Sequence, residues 1–132
     1  MPGIIADHNM SGHFEVLVRI LGTGSWNEIW KEMGIDIVSF EDFGLSPDAS
    51  DVDLWHACQR HEVVLVTANR NKAGPDSLEA TSNDISSLPV LTVSNADQIL
   101  LIRQYATRVV RQLLEFLFDL DNLRGTGRLY LP

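Results

Sequence analysis

The fold is decided by one stretch of the sequence, VVLVTANRN at residues 63–71, where branched aliphatic residues lead into a polar, amide-rich turn. A continuous run of β-branched residues and leucine is typical of a strand covered on both faces, such as the central strand of a parallel sheet. In open α/β sheets, ligands gather at the carboxyl ends of such strands. Here that end carries Thr67, Asn69 and Asn71.

A second hydrophobic strand ends in the same way. Residues 3–6, GIIA, run directly into Asp7, His8 and Asn9. Because two apolar strands each deliver a polar cluster at the same kind of position, we expect the two clusters to share one site.

Periodicity, helix caps and glycine stops predict the order β-α-α-β-α-β-α-β-α. The predicted strands are residues 4–6, 35–40, 63–68 and 88–93, and the predicted helices are residues 10–21, 25–33, 51–61, 76–81 and 95–120. The tail at 124–132 is glycine-rich and then apolar. This alternation predicts the α/β class, with a small parallel sheet of about four strands and helices on both faces, in three α/β/α layers.

Composition favours one domain spanning residues 1–132, with enough apolar residues, 45%, for a core. The single Cys58 cannot form an internal disulfide, so a reducing, cytoplasmic setting is expected. Neither a signal peptide nor a membrane-spanning run is apparent. The net charge of −8 is unfavourable for long-range capture of nucleic acid, but it does not exclude a nuclease whose carboxylates hold cations.

Oxygen-bearing side chains cluster near the predicted strand ends and suit a hard divalent cation. They are Asp7, Asp51, Asp53, Asn69, Asn71, Asp76 and Glu79. Each has a simpler structural interpretation, since acids at a helix start interact with the helix dipole and asparagines form turns. Only their joint placement favours a functional site.

Three segments together resemble the motifs of the PIN-domain nucleases, especially the short toxin components of bacterial toxin–antitoxin pairs. Residues 4–9, IIADHN, are similar to L-L-D-E-N, and residues 50–58, SDVDLWHAC, are similar to S-D-x-x-[IL]-x-x-x-A with the alanine one position early. Residues 67–71, TANRN, are similar to T-x-D-x-D. The resemblance covers roughly residues 3–95.

The resemblance implies a PIN-like fold and an RNA-cleaving site that holds Mg²⁺ or Mn²⁺. It implies that Asp7 is the ligand from the first strand and Asp51 the ligand from the middle helix. Asn69 and Asn71 stand where the family has its third carboxylate and often a fourth acid. Each asparagine removes a negative charge and cannot act as a general base, so Asp53, Asp76 or Glu79 would have to restore a carboxylate.

Two functions from different classes stay open at this point. The first is a metal-dependent ribonuclease, expected as the toxin of a toxin–antitoxin pair, in which Arg70 and Lys72 contact the phosphates. The second is a catalytically inactive PIN-like module that acts in oligomerisation or protein binding. Apolar residues nearly surround the last helix from Val109 onward, which predicts a homodimer or a partner surface there, with an antitoxin as one candidate partner.

Overall fold

The computed structural model describes residues 3–7, 10–46, 48–68, 88–126 and 128–132. At its centre lies a parallel sheet of five strands in the order β2-β1-β3-β4-β5. The strands are β1 Gly3–Ala6, β2 Asp36–Ile37, β3 Val63–Ala68, β4 Val90–Val93 and β5 Arg128–Leu131. The predicted α/β class with a parallel sheet is therefore confirmed.

The count of about four strands was too low, because the apolar tail forms β5. Leu131 is buried, Tyr130 is exposed, and the Ser94 N–H donates to the Leu131 carbonyl at 3.2 Å. The strand has only four residues, so its alternation of buried and exposed side chains is too short to identify it in the sequence. Its partner β4 is distant in sequence, so no local pattern predicts their pairing. The second predicted strand, 35–40, shortens to Asp36–Ile37 because only two residues pair with β1.

Five α-helices cover the sheet within the described residues: α1 Ser11–Leu21, α2 Gly24–Met33, α3 Asp51–His61, α4 Asp97–Leu101 and α5 Arg103–Phe118. Short 3-10 turns span Glu41–Phe43 and Leu120–Leu123. Ser50 caps α3 by accepting a hydrogen bond from the Asp53 N–H at 3.1 Å, as the sequence suggested. The predicted helix at 76–81 lies outside the described residues.

The prediction of a single long helix at 95–120 is wrong, because the helix is interrupted at Ile102. Ile102 has extended backbone angles, φ −129° and ψ 107°, and it separates α4 from α5. The break leaves its backbone paired, since the Ile102 N–H donates to the Gln98 carbonyl and the Ile102 carbonyl accepts from Ala106. A β-branched residue tolerates extended geometry well, so helical periodicity alone could not reveal this break.

The helices form layers on both faces of the sheet. On one face, α1 and α5 pack together over a core that includes Ile4, Val64 and Leu91. On the other face, α3 places Leu54, Trp55 and Cys58 over a smaller core. None of the described helices has the length and apolar character needed to cross a bilayer.

The apolar residues of α5 that suggested a partner surface belong to the core. They are Val109, Val110, Leu113, Leu114 and Leu117, each at most 6% exposed. The exposed large apolar residues nearby are Phe118 and the consecutive Leu100, Leu101 and Ile102 at the break between α4 and α5. Among the described residues, the exposed apolar surface of α5 is therefore smaller than the sequence indicated.

Candidate functional site

The strand order creates a topological switch point between β1 and β3. The chain leaves β1 toward β2 on one side and leaves β3 toward β4 on the other, so the two connections diverge. Divergence of this kind opens a crevice at the carboxyl ends of the two strands, where ligands bind in open α/β folds. Asp7 follows β1 directly, and Thr67 is the second-to-last residue of β3, so both lie at this crevice.

A row of buried polar side chains crosses the sheet at this level. Among the described residues, three polar or charged residues are buried: Asp7 at 7% exposed, Thr67 at 5% and Thr92 at 0%. Ala6 is in register with Val66, so Asp7 comes beside Thr67, and Thr67 pairs in turn with Thr92. We call Asp7, Thr67 and Thr92 the polar row.

The polar row lies on the face of the sheet that α3 covers. Ile5, Leu65 and Val90 stand two residues before its three members, and all three pack in the core beneath α3. Because side chains alternate along a strand, the members of the polar row project to that same face. Since α3 leads directly into β3, its amino end lies at the carboxyl edge of the sheet, near the polar row.

Hydrogen bonds hold the polar row in place. The hydroxyls of Thr67 and Thr92 are 3.1 Å apart and share a hydrogen bond in the interior. The Asp7 N–H donates to the Val66 carbonyl at 2.9 Å, and the Asp7 carbonyl accepts from the Met10 N–H at 2.9 Å. Its backbone is thus fixed from both sides, and its side chain lies in the interior.

The structure places three of the predicted site residues. Asp7 is buried in the polar row, where the sequence located it. Asp51 is the first residue of α3, although its side chain lies outside the described part of the chain. Asp53 is exposed, and its backbone N–H donates to the hydroxyl of Ser50, the residue that caps α3. The other predicted site residues, Asn69, Arg70, Asn71, Lys72, Asp76 and Glu79, lie outside the described residues.

The donor atoms at this edge fit a hard cation. The polar row offers a carboxylate and hydroxyl oxygens, and Mg²⁺ in proteins takes one or two carboxylates while keeping several waters. Within the described ranges, no group of three histidine, cysteine, aspartate or glutamate side chains is placed to hold a metal ion. Asp7 is therefore the described residue best placed to contribute to such a site.

Two features of this edge were missed in the sequence. Thr92 is the one polar residue of β4, and its pairing with Thr67 follows only from the register of the two strands. His13 and Asp97, in the first turns of α1 and α4, form a contact of 3.2 Å between Nε2 and Oδ1. Because α1 and α4 follow β1 and β4, this pair also lies at the carboxyl edge, on the face opposite the polar row.

Cys58 takes no part in chemistry at this site. Its side chain is fully buried, and burial raises the pKa of the thiol from 9.0 to about 12. A thiol that stays protonated at neutral pH is neither a nucleophile nor a metal ligand. Cys58 is packed as a small apolar residue, as the sequence suggested.

A cleft of about 430 Å³ lies at the opposite edge of the sheet. Its lining includes Glu62, Phe118, Asp119, Asp121 and Arg124. Arg124 donates to both carboxylate oxygens of Glu62, at 3.0 and 3.3 Å, and these bonds raise the pKa of its guanidinium. Because Glu62 precedes β3, the cleft is at the amino edge, and we assign this cluster a structural role.

A comparison with protein-family models finds no matching family, and comparisons with curated proteins and with solved structures find no match either. The resemblance to the PIN-domain nucleases therefore stays a prediction that rests on the three motifs.

Proposed function

We propose that this chain is a Mg²⁺- or Mn²⁺-dependent hydrolase of RNA phosphodiester bonds, of the PIN-like ribonuclease type. The observation that supports the proposal is the buried carboxylate of Asp7, beside two buried threonines at the β1/β3 switch point. The motif resemblance supplies the class of reaction. The toxin role and the cytoplasmic setting belong to the same proposal.

In this proposal Asp7 and Asp51 hold the cation, and Asn69 and Asn71 offer neutral oxygen atoms. Further carboxylates would come from Asp53, Asp76 or Glu79, and Arg70 and Lys72 would contact the phosphates. When bound, the cation supplies Lewis acidity at phosphorus and lowers the pKa of the attacking water.

The chain's own contribution is a fixed and poorly hydrated carboxylate. Burial of Asp7 removes competing water, so its attraction for a cation exceeds that of a surface aspartate. The hydrogen bond between Thr67 and Thr92 satisfies both hydroxyls and keeps the strands in register beside Asp7. The site is therefore positioned before a cation or substrate arrives.

Calorimetric titration with Mn²⁺ tests this proposal. We expect the wild-type protein to bind in the micromolar to sub-millimolar range, and Asp7→Asn and Asp51→Asn each to abolish the heat of binding. Asp36→Asn is the matched control, because it makes the same chemical change at an exposed residue of the edge strand β2. A wild-type protein that gives no heat, or a control that loses binding equally, would remove the basis of the nuclease proposal.

Cleavage is tested separately with a single-stranded RNA that carries a fluorophore and a quencher. The proposal expects Mn²⁺-dependent cleavage that EDTA stops and that Asp7→Asn reduces by at least about 10²-fold, as expected when an essential electrostatic group is lost. Cleavage that persists unchanged in Asp7→Asn would identify a contaminating nuclease and contradict the assignment.

A second function has its own support: an inactive module that acts through protein contacts. Asparagine at positions 69 and 71 and the net charge of −8 favour it. Leu100, Leu101 and Ile102 are consecutive and 46–79% exposed, and they offer a contact for a homodimer or an antitoxin. Light scattering after gel filtration tests the homodimer. The wild type should be a dimer and Leu101→Asp a monomer, and a wild-type monomer would contradict self-association through this contact.

A further inference from the structure

The solvent-exposed face of α5 carries a line of arginines that the proposed site does not use. Arg103, Arg108 and Arg111 are all exposed, whereas Val109 and Leu113 on the opposite face are fully buried. With 3.6 residues per turn, the three arginines fall within an arc of about 140°, and the 1.5 Å rise spreads them over about 12 Å. We call Arg103, Arg108 and Arg111 the arginine stripe.

The arginine stripe reverses the charge of the chain locally. With three arginines and one acid, Glu115, α5 has a net charge of +2, while the whole chain has −8. None of the three arginines forms an ion pair with another described residue, although Arg124 elsewhere pairs with two acids. Their guanidinium donors therefore face solvent, where they are available to an anionic ligand.

One contact connects the arginine stripe to the carboxyl edge of the sheet. The Arg108 guanidinium lies 5.5 Å from the centroid of the Tyr105 ring, which is 3% exposed. The Tyr105 hydroxyl accepts a hydrogen bond of 3.1 Å from the Asn95 N–H, two residues beyond β4. A cation over an aromatic face is held by the ring quadrupole, so Arg108 is oriented by a residue anchored at that edge.

We infer that the arginine stripe binds the phosphodiester backbone of single-stranded nucleic acid along α5, on the face of the sheet opposite the polar row, and leads it to the carboxyl edge that both faces share. This inference rests on the proposed function for its substrate class, RNA. Planar guanidinium groups match phosphate oxygens through paired hydrogen bonds. The intervening Gln104 and Thr107 are polar, so between Arg103 and Arg111 this face offers hydrogen-bonding groups and no exposed apolar side chain.

The net negative charge of the chain does not prevent such binding. At physiological ionic strength the Debye length is about 8 Å, so acids on the far side of the molecule are screened. A polyanion on the arginine stripe therefore interacts mainly with charges within about this distance, which on α5 itself are the three arginines and Glu115. Binding should therefore be local and strongly salt-dependent.

Fluorescence anisotropy of a labelled 12-nucleotide RNA in EDTA tests the inference without requiring cleavage. Each phosphate contact on a single strand changes log K by about 0.7 per decade of salt concentration. Each contact should therefore strengthen binding by roughly 8-fold at 50 mM salt relative to 1 M. The variant R103Q/R108Q/R111Q should therefore bind several hundred-fold more weakly at 50 mM salt, and its salt slope should fall by about 2.

A charge-matched control uses three cations located elsewhere. Arg19, Lys31 and Arg60 are exposed and lie in the last turns of α1, α2 and α3. R19Q/K31Q/R60Q changes the net charge by the same amount, and we expect it to weaken binding less than about 5-fold, because distant charges are screened. Equal losses in the two triple variants would overturn the inference and indicate a non-specific effect of net charge.

Two further arms separate the alternatives. If the glutamine variant does not fold, as judged by circular dichroism, the variant R103K/R108K/R111K keeps the charge and should bind within about 10-fold of wild type. An equal affinity for single-stranded DNA supports backbone recognition, and a preference for RNA supports it with added contacts to the ribose. No wild-type binding at low salt would overturn the inference, whereas binding without Mn²⁺-dependent cleavage would overturn only the proposed function.

Discussion

Replacing Cys58 with alanine should change how the stability of the protein depends on pH. Cys58 is a fully buried residue of α3 and packs in the core with Leu54, Val63 and Leu65. Burial raises the pKa of its thiol from 9.0 to about 12. The unfolded chain therefore loses this proton near pH 9, while the folded chain keeps it. Stability attributable to the thiol is fully present below pH 9 and falls as the pH rises toward 12.

The size of the effect follows from the two pKa values. One pKa unit corresponds to about 1.4 kcal/mol, so the free energy of unfolding should fall by about 0.4 kcal/mol at pH 9 and about 1.4 kcal/mol at pH 10. Cys58→Ala removes this contribution and adds a cavity cost of about 1 kcal/mol that does not vary with pH. The stability of the wild type relative to Cys58→Ala should therefore fall by about 1.4 kcal/mol between pH 7 and pH 10, from about 1 kcal/mol in favour of the wild type to about 0.4 kcal/mol in favour of the variant.

Urea unfolding of both proteins at pH 7, 8, 9 and 10, with a phosphine reductant, measures this difference. Tyrosines and lysines also titrate in this range, but they are common to both proteins and cancel in the subtraction. A constant difference across the range would show that the folded thiol ionises like a free one, and would refute the burial argument. Reaction with an aromatic disulfide at pH 8 gives an independent check, since the native thiol should react about 10³-fold more slowly than the unfolded one.

Three further predictions concern the site and the contacts that support it. Mn²⁺ at 100 times its Kd should raise the unfolding free energy of the wild type by about 2.7 kcal/mol and leave Asp7→Asn unchanged in differential scanning fluorimetry, and equal shifts would show that the cation binds elsewhere. Gln59→Ala should cost about 1–3 kcal/mol in urea unfolding, because the Gln59 amide makes two hydrogen bonds, of 2.8 and 3.3 Å, with the Leu88 backbone; a loss below 0.5 kcal/mol would mean that water replaces them. Glu62→Gly should be at least as stable as the wild type, because Glu62 has φ 57° and glycine relieves about 1 kcal/mol of backbone strain. Arg124→Gln, which removes the ion pair with Glu62, should lose at most about 1 kcal/mol of stability. Thermal denaturation of both variants tests this, and a large loss in Glu62→Gly would show that the ion pair outweighs the strain.

The fold was predictable where local physics and tertiary packing agree. The aliphatic run in β3 is buried on both faces, so its composition alone identified a central parallel strand. The fifth strand and the break at Ile102 were not predictable in this way. Both depend on how distant parts of the chain meet, since β5 pairs with β4 and the break lets α5 pack on α1.

The candidate site was only partly predictable for a related reason. Asp7 was identifiable because an acid directly after an apolar strand must lie at the sheet edge. Thr92 was missed because a threonine in a strand usually signals β propensity, and only the cross-strand register shows that it pairs with Thr67. The three arginines of the arginine stripe are visible in the sequence, but only the structure shows that all three are exposed and form no ion pair with another described residue.

The burial of the Asp7 carboxylate bears on the asparagines at positions 69 and 71, where the PIN-domain motif has acids. Several carboxylates in one low-dielectric crevice repel one another, and without a cation that repulsion destabilises the fold. In the site that we propose, asparagine at 69 and 71 would lower this repulsion and at the same time weaken the attraction for a cation. Asp7 can therefore stay buried in the cation-free protein at a smaller cost than in a site with four acids. If the proposed function holds, the chain would have lower cation affinity and higher stability than a fully acidic site, and phosphate binding would depend more on arginines, which act without a metal.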